Sequence, residues 1–192
     1  MKAHPIIFND EMVRAILADK KTQTRRVVKP ALWPILDESN YVNGWPSLDM
    51  LDFEIPCPFG RVGSELWVKE TWAYCDEIEH YNQLLGEDRR ALYRATDPDY
   101  WVRRWRPSRF MPRCASRITL EITGIRVEKL QAITANDINA EGYPYQMDQG
   151  GPVGLLWYMG LWDSINAKRG YGWDTNCWCW VLEFRKMEGE WP

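Results

Sequence analysis

Strand-like segments outnumber helical ones in this 192-residue sequence, and the two kinds do not alternate regularly. Five or six short strands and three helices are predicted, with the first helix between the first two strands. A doubly wound parallel sheet requires regular alternation, so this order disfavours it. The pattern predicts an α+β protein in which a small, partly open β-barrel carries about three helices.

Local signals place the three helices. Asn9 or Asp10 suits the N-cap of the first helix. Thr134 opens a second helix in the manner of a capping box, and Gly142 ends it. Apolar residues at helical spacing predict the third helix, over Pro152–Asn166.

Runs of β-branched and aromatic residues predict the strands, at 5–8, 22–28, 65–72, 91–94 and 178–187. Residues 115–120 and 125–130 are predicted to pair as a hairpin around Thr123 and Gly124. One domain is expected over residues 1–192, with a Pro-rich insertion at about 29–59 and an Arg/Trp-rich insertion at about 75–113.

Charge is strongly segregated along the chain, although the formal net charge is only −3. Residues 20–29 carry five basic side chains and no acidic one, and residues 89–117 carry nine Arg against Asp97 and Asp99. Trp and Tyr are interleaved with the second group, which predicts an electropositive surface able to meet phosphate and stack on bases. The alternative is that these arginines are solvated or paired with acidic residues elsewhere.

Cysteine and histidine usage gives little support to a disulfide framework or a zinc site, because five Cys lack metal-ligand spacing and only two His are present. No metal or cofactor is predicted. The longest apolar stretch, at 154–162, is too short to span a membrane, and residues 1–5 lack the apolar core of a secretory signal. A cytoplasmic protein with reduced thiols is expected.

Residues 16–26 (ILADKKTQTRR) resemble the signature of the ASCH family, a branch of the PUA-like β-barrels. In that signature, a helix ending in a G-x-K-T-x-T-x-R-like motif runs into a strand. Segments at 57–72, 111–120 and 161–173 resemble longer ASCH proteins that are common in phages and prophages. The resemblance implies a β-barrel with a cleft suited to RNA or a nucleoside.

The resemblance also implies candidate catalytic residues. Some small ASCH proteins are amidohydrolases that remove the acetyl group from N4-acetylcytidine, and others are described as ribonucleases. Their amidohydrolase residues are a Lys and a Thr of the motif and a Glu at the end of a later helix. These match Lys21, Thr24 and Glu141 of this chain.

A threonine nucleophile needs a base, because its hydroxyl is almost fully protonated at neutral pH. Lys21 can serve if burial lowers its pKa. Alternatively, Glu141 is the base or holds Lys21 charged to stabilise an oxyanion. Residues three apart on a straight strand face opposite sides, so Lys21 and Thr24 meet only if Lys21 precedes the strand. The purely structural alternative makes Thr24 a strand residue and Glu141 an exposed carboxylate at a helix end.

Four further residues are candidate substrate-binding groups. Arg25 and Arg26 follow the motif and suit bidentate phosphate binding, or pairing with Glu65 or Glu70. Glu70 is a candidate for an inward-facing carboxylate, and Trp72 is a candidate for stacking on a base, with core packing as its alternative.

The leading prediction is an RNA- or modified-nucleoside-binding protein of ASCH type, with amide hydrolysis on N4-acetylcytidine-like substrates as the favoured activity. The alternatives are a non-catalytic RNA-binding module, a ribonuclease-like protein, and a phage protein that engages a host protein through exposed Trp.

Overall fold

Most of the predicted elements are present, but the strand predicted over residues 65–72 is observed as two strands in different sheets. The computed structural model describes residues 3–36, 41–42, 45–46, 56–74, 91–100, 102–145 and 150–187. The strands in these ranges are β1 (His4–Ile7), β2 (Gln23–Val27), β3 (Tyr41–Val42), β4 (Trp45–Pro46), β5 (Glu65–Lys69), β6 (Trp72–Tyr74), β7 (Ala91–Tyr93), β8 (Thr119–Lys129) and β9 (Trp178–Lys186). The helices are α1 (Asp10–Leu17), α2 (Trp33–Leu36), α3 (Ala135–Ala140) and α4 (Pro152–Asn166).

Parts of the two predicted insertions, including residues 47–55 and 75–90, lie outside the described residues. The single-domain organisation with two insertions stays a prediction. Within the described ranges, no helix is both long and apolar enough to cross a membrane.

One mixed sheet organises the fold, in the order β1-β5-β8-β9-β2. β1 and β5 are parallel, and the other neighbours in this sheet are antiparallel. Separate two-stranded sheets join β3 to β4 and β6 to β7. The large sheet curls until its edges approach, since Arg26 of β2 donates a side-chain hydrogen bond to the carbonyl oxygen of Ile7 in β1 at 2.6 Å. The α+β class is therefore confirmed, and the sheet stays open.

The predicted hairpin around Thr123 and Gly124 is wrong. Residues 119–129 instead form one strand, β8, which pairs with β9 from Leu120 to Lys129 and has a register shift between Ile122 and Gly124. A Cβ atom at position 124 would lie 2.7 Å from Oε2 of Glu183, so the glycine permits a close approach at a bulge. Glycine is compatible with a turn and with a bulge, and the long partner strand decides between them.

Two buried clusters meet along β2 and β9. The first packs α1 against the curled sheet and includes Phe8, Val13, Ile16, Leu66, Leu120, Leu182 and Phe184. The second lies beneath α3 and α4 and includes Leu130, Ile138, Tyr143, Tyr158, Trp162 and Cys179. Polar residues of β2 are buried between these clusters, among them Gln23, Thr24 and Arg25.

Candidate functional site

The segment between α1 and β2 meets the end of α3. The first helix is capped at Asn9, whose Oδ1 accepts a hydrogen bond from the Met12 amide at 2.8 Å. After α1 ends, the amide of Lys21 donates to the carbonyl oxygen of Ala15, and the amide of Thr22 donates to that of Ala140. Lys21 therefore precedes β2, as the pairing of Lys21 with Thr24 requires.

Glu141 follows α3, whose start carries the predicted capping box between Thr134 and Asp137. An isolated backbone bridge joins Lys21 to Glu141. Gly142 then adopts a φ of +95°, and a Cβ atom there would lie 3.0 Å from Cβ of Ala15. The left-handed turn and the close approach both favour glycine.

Lys21 and Glu141 form a buried ion pair. Nζ of Lys21 lies 2.6 Å from Oε2 of Glu141 and also donates to the Glu141 carbonyl oxygen at 2.9 Å. The two residues are only 2% and 3% exposed. Burial lowers the pKa of the Lys21 ammonium from its ordinary value, while the charge of Glu141 acts to raise it. The structural alternative of an exposed Glu141 carboxylate is wrong.

Arg25 is a second buried cation beside the carboxylate of Glu141. Its Nη2 donates to Oε2 of Glu128 at 3.0 Å and lies 3.2 Å from Oδ2 of Asp137. Its Nη1 lies 3.9 Å from Oε1 of Glu141. Among the described residues, Nε and Nη1 of Arg25 and Oε1 of Glu141 are buried without a hydrogen-bond partner. Buried polar atoms normally have partners, so these three have unused capacity to bind a ligand.

Asp137 is held ionised by its surroundings. Burial acts to raise its pKa, but hydrogen bonds from Thr134 and the positive charge of Arg25 outweigh it and lower the pKa to about 2. Arg25 therefore faces a carboxylate that keeps its charge.

A small cavity of about 50 Å³ lies over these groups. Its polar lining consists of Thr24, Arg25, Arg26, Glu141, Tyr158, Asn166 and Arg169. Thr24 is buried, with 2% of its surface exposed, and contributes to this lining. Burial and the charge of Glu141 raise the pKa of Tyr158 well above its ordinary value, so its hydroxyl stays protonated.

A larger groove of about 460 Å³ lies between α1 and α4. Its walls include Glu11, Arg14, Lys20, Tyr145 and Trp157. Met12, Glu141 and Leu161 line both the groove and the small cavity. Glu141 is thus the polar residue that lines both spaces.

Five of the seven residues singled out from the sequence gather here. Lys21 pairs with Glu141, and Thr24, Arg25 and Arg26 line the same small cavity as Glu141. Lys21 lies beneath that cavity, with no exposed side-chain surface.

Glu70 and Trp72 lie elsewhere. Glu70 accepts two hydrogen bonds from Arg117 at 2.9 Å, so the alternative in which Glu70 pairs with Arg26 is not observed. Burial raises the pKa of Glu70, and Arg117 opposes that shift. Trp72 is 1% exposed and packs edge-on against Tyr74.

The sequence analysis missed Glu128, Asp137 and Tyr158. Asp137 is recognisable as a capping residue, but its contact with Arg25 depends on how α3 lies across β2. Tyr158, Trp162 and Asn166 are spaced four residues apart and are all buried. That spacing in the sequence predicts one shared helix face. No group of three or more metal-ligating side chains is found among the residues that the structure describes.

Fold and site together describe an α+β protein with a buried Lys–Glu–Arg cluster at the inner end of a groove. No family model matches the sequence, and no curated protein matches it either.

Among solved structures, the chain is similar to an ASCH domain from Lactobacillus crispatus JV V101, with 9% identity, a TM-score of 0.45 and coverage of 96% of this chain and 79% of that chain. It is also similar to a protein from Enterococcus faecalis V583 of the family DUF984, with 9% identity and a TM-score of 0.44. That match covers 97% of this chain and 81% of that chain. The phage or prophage association and the cytoplasmic location stay predictions.

Proposed function

We propose that this chain binds a modified nucleoside, free or within RNA, in the groove between α1 and α4 and hydrolyses an amide on its base. The observation that carries the proposal is the state of the Glu141 carboxylate. One of its oxygens is tied to Lys21, and the other is buried without a hydrogen-bond partner in the described structure, in a residue that lines the same cavity as Thr24. The resemblance of residues 16–26 to the ASCH signature supports Lys21 and Thr24, and the Glu at the end of a later helix in that family matches Glu141.

The small cavity and the groove have volumes that suit different parts of a substrate. A cavity of about 50 Å³ accepts a small acyl group or a water molecule, which occupies about 30 Å³ in the liquid. The groove of about 460 Å³ is within the range of small-molecule sites and accommodates a base with its ribose. A nucleoside with a short acyl group on an exocyclic nitrogen therefore places its amide at Glu141, which lines both spaces.

The chemistry follows from the unpartnered atoms. Glu141 Oε1 takes the proton from the Thr24 hydroxyl as Oγ1 attacks the amide carbon, and Arg25 Nη1 donates to the oxygen that becomes negative. The amine leaves with that proton, so the acyl group remains on Thr24 as an ester. Water then hydrolyses the ester and regenerates the hydroxyl. Lys21 holds Oε2 throughout and so keeps the other oxygen directed at the cavity.

The test is incubation of the purified protein with N4-acetylcytidine and chromatographic measurement of cytidine and acetate. Thr24→Val and Glu141→Gln are expected to abolish release, because each removes one reacting group while preserving shape. Thr22→Val is the matched control, since Thr22 is exposed and two residues away. If the wild-type protein releases no more cytidine than buffer, amide hydrolysis of this substrate is wrong. Binding of the nucleoside without release would then assign the groove to a non-catalytic module.

A further inference from the structure

A second concave surface lies on a different part of the molecule. A depression of about 650 Å³ is lined by Trp72, Tyr74, Arg103, Arg104, Arg106, Pro107 and Phe110. We call these residues the arginine surface. It shares no lining residue with the groove or the small cavity described above.

The arginine surface is held on strand β6. Backbone hydrogen bonds of 3.2 and 2.7 Å join Trp72 and Arg106 in both directions. The side chain of Lys69 donates to the carbonyl oxygen of Arg109 at 2.6 Å. The arginine-bearing segment is therefore fixed to the sheet, which preorganises its side chains for a partner.

Two arginines of this surface carry positive charge that no acidic residue of the described ranges pairs with. Residues 101–120 contain six Arg and no acidic residue. Arg103 and Arg104 are exposed and form no ion pair within the described ranges. Because the whole chain carries a net charge of −3, this surface is a local site for an anionic partner rather than part of a generally basic protein.

Aromatic rings accompany the cations. The rings of Trp72 and Tyr74 lie 4.5 Å apart, and the Arg106 guanidinium lies 4.8 Å from the Tyr74 centroid. Phe110 is 64% exposed and has the Arg109 guanidinium 4.7 Å from its ring. In the described structure, the indole nitrogen of Trp72 is buried without an acceptor. An exposed phenyl ring beside guanidinium groups offers both a stacking face and phosphate donors.

We propose that the arginine surface binds single-stranded nucleic acid, with arginines on the phosphates and exposed rings on the bases. Free phosphate or an acidic peptide would bind the guanidinium groups of the arginines but would leave Phe110 without a stacking partner. A duplex hides the faces of its bases, whereas a single strand presents both phosphates and base faces. The proposal does not depend on the activity proposed for the groove.

The experiment measures fluorescence anisotropy of a labelled 12-nucleotide oligouridylate over a range of salt concentrations. Each phosphate contact to a single strand contributes about 0.7 to the slope of log affinity against log salt. Arg103→Ala/Arg104→Ala is thus expected to reduce the slope by about 1.4 and to weaken binding about 25-fold at roughly 0.1 M salt. Phe110→Ala is expected to weaken oligouridylate binding by about 5-fold or more. It should leave binding of inorganic polyphosphate unchanged.

Arg61→Ala/Arg185→Ala is the control for charge number, because it removes two positive charges from exposed positions near the other end of β5, where Arg185 is paired with Glu121. The proposal is overturned if this control weakens binding as much as Arg103→Ala/Arg104→Ala, or if Phe110→Ala has no effect on oligouridylate. It is also overturned if polyglutamate competes as well as unlabelled oligouridylate, which would assign the surface to an acidic protein. Arg103→Ala/Arg104→Ala should leave the release of cytidine from N4-acetylcytidine unchanged, so failure here is distinguishable from failure of the groove activity.

Discussion

Lys21→Met should destabilise the protein strongly, because it leaves a buried carboxylate without its main partner. Methionine keeps most of the volume of the lysine stem but removes the ammonium that lies 2.6 Å from Glu141 Oε2. Breaking a buried ion pair from one side typically costs about 3–5 kcal/mol. Arg25, whose Nη1 lies 3.9 Å from the other oxygen, offsets part of that cost. We therefore expect a loss of about 3 kcal/mol in the free energy of unfolding.

The assay is urea unfolding followed by tryptophan fluorescence, with a thermal melt alongside. For a chain of this length, about 3 kcal/mol corresponds to a fall in Tm of about 6–12 °C. The second variant, Lys21→Met/Glu141→Gln, should recover part of the loss, because a neutral amide does not require a cationic partner.

The control is a more exposed lysine–aspartate ion pair in the same protein. Lys186 Nζ lies 2.9 Å from Asp19 Oδ1, and these side chains are 31% and 72% exposed. Lys186→Met should cost less than about 1 kcal/mol, as solvent-exposed pairs do. If Lys21→Met costs no more than Lys186→Met, the argument that burial makes the Lys21–Glu141 pair important for stability is wrong.

Three further predictions concern the elements that position the site. Because the pKa of Asp137 is depressed to about 2, its carboxylate contributes stability above its ordinary pKa of 3.8. Asp137→Asn should therefore lower Tm at pH 6, and melts at descending pH should show the difference shrinking between about pH 4 and pH 2. Asn9→Ala removes the cap of α1 and should cost about 1 kcal/mol in urea unfolding. Gly142→Ala should cost about 1–3 kcal/mol by the same assay, since φ is +95° and the new Cβ meets Ala15. Unchanged stability in any of these variants would contradict the corresponding contact.

Much of the local structure was predictable because its signals are local. The helix over Pro152–Asn166 has the bounds expected from apolar spacing, and the capping box at Thr134 is present as expected. The final strand was expected over residues 178–187 and is observed at Trp178–Lys186. The capping box and the helix depend on interactions within a few residues of chain, and the strand is marked by a local pattern of residue types.

The failures involve residues that interact over long sequence distances. The Gly124 signal predicted a turn, but pairing with β9 made it a bulge. Pairing of Glu70 with Arg26 was one alternative, but Glu70 pairs with Arg117, because strand alternation indicates a face of the sheet and not the partner above it.

The sequence by itself determined where the helices and most strands lie, and it marked Lys21, Thr24 and Glu141 as residues worth locating. Only the tertiary structure decided that Lys21 and Glu141, 120 residues apart, form a buried pair and that Arg25 lies beside them with partners on β8 and α3. The physical reason is that capping and periodicity act between near neighbours, whereas burial and pairing of charges depend on strand register and on how α3 and α4 pack across the sheet.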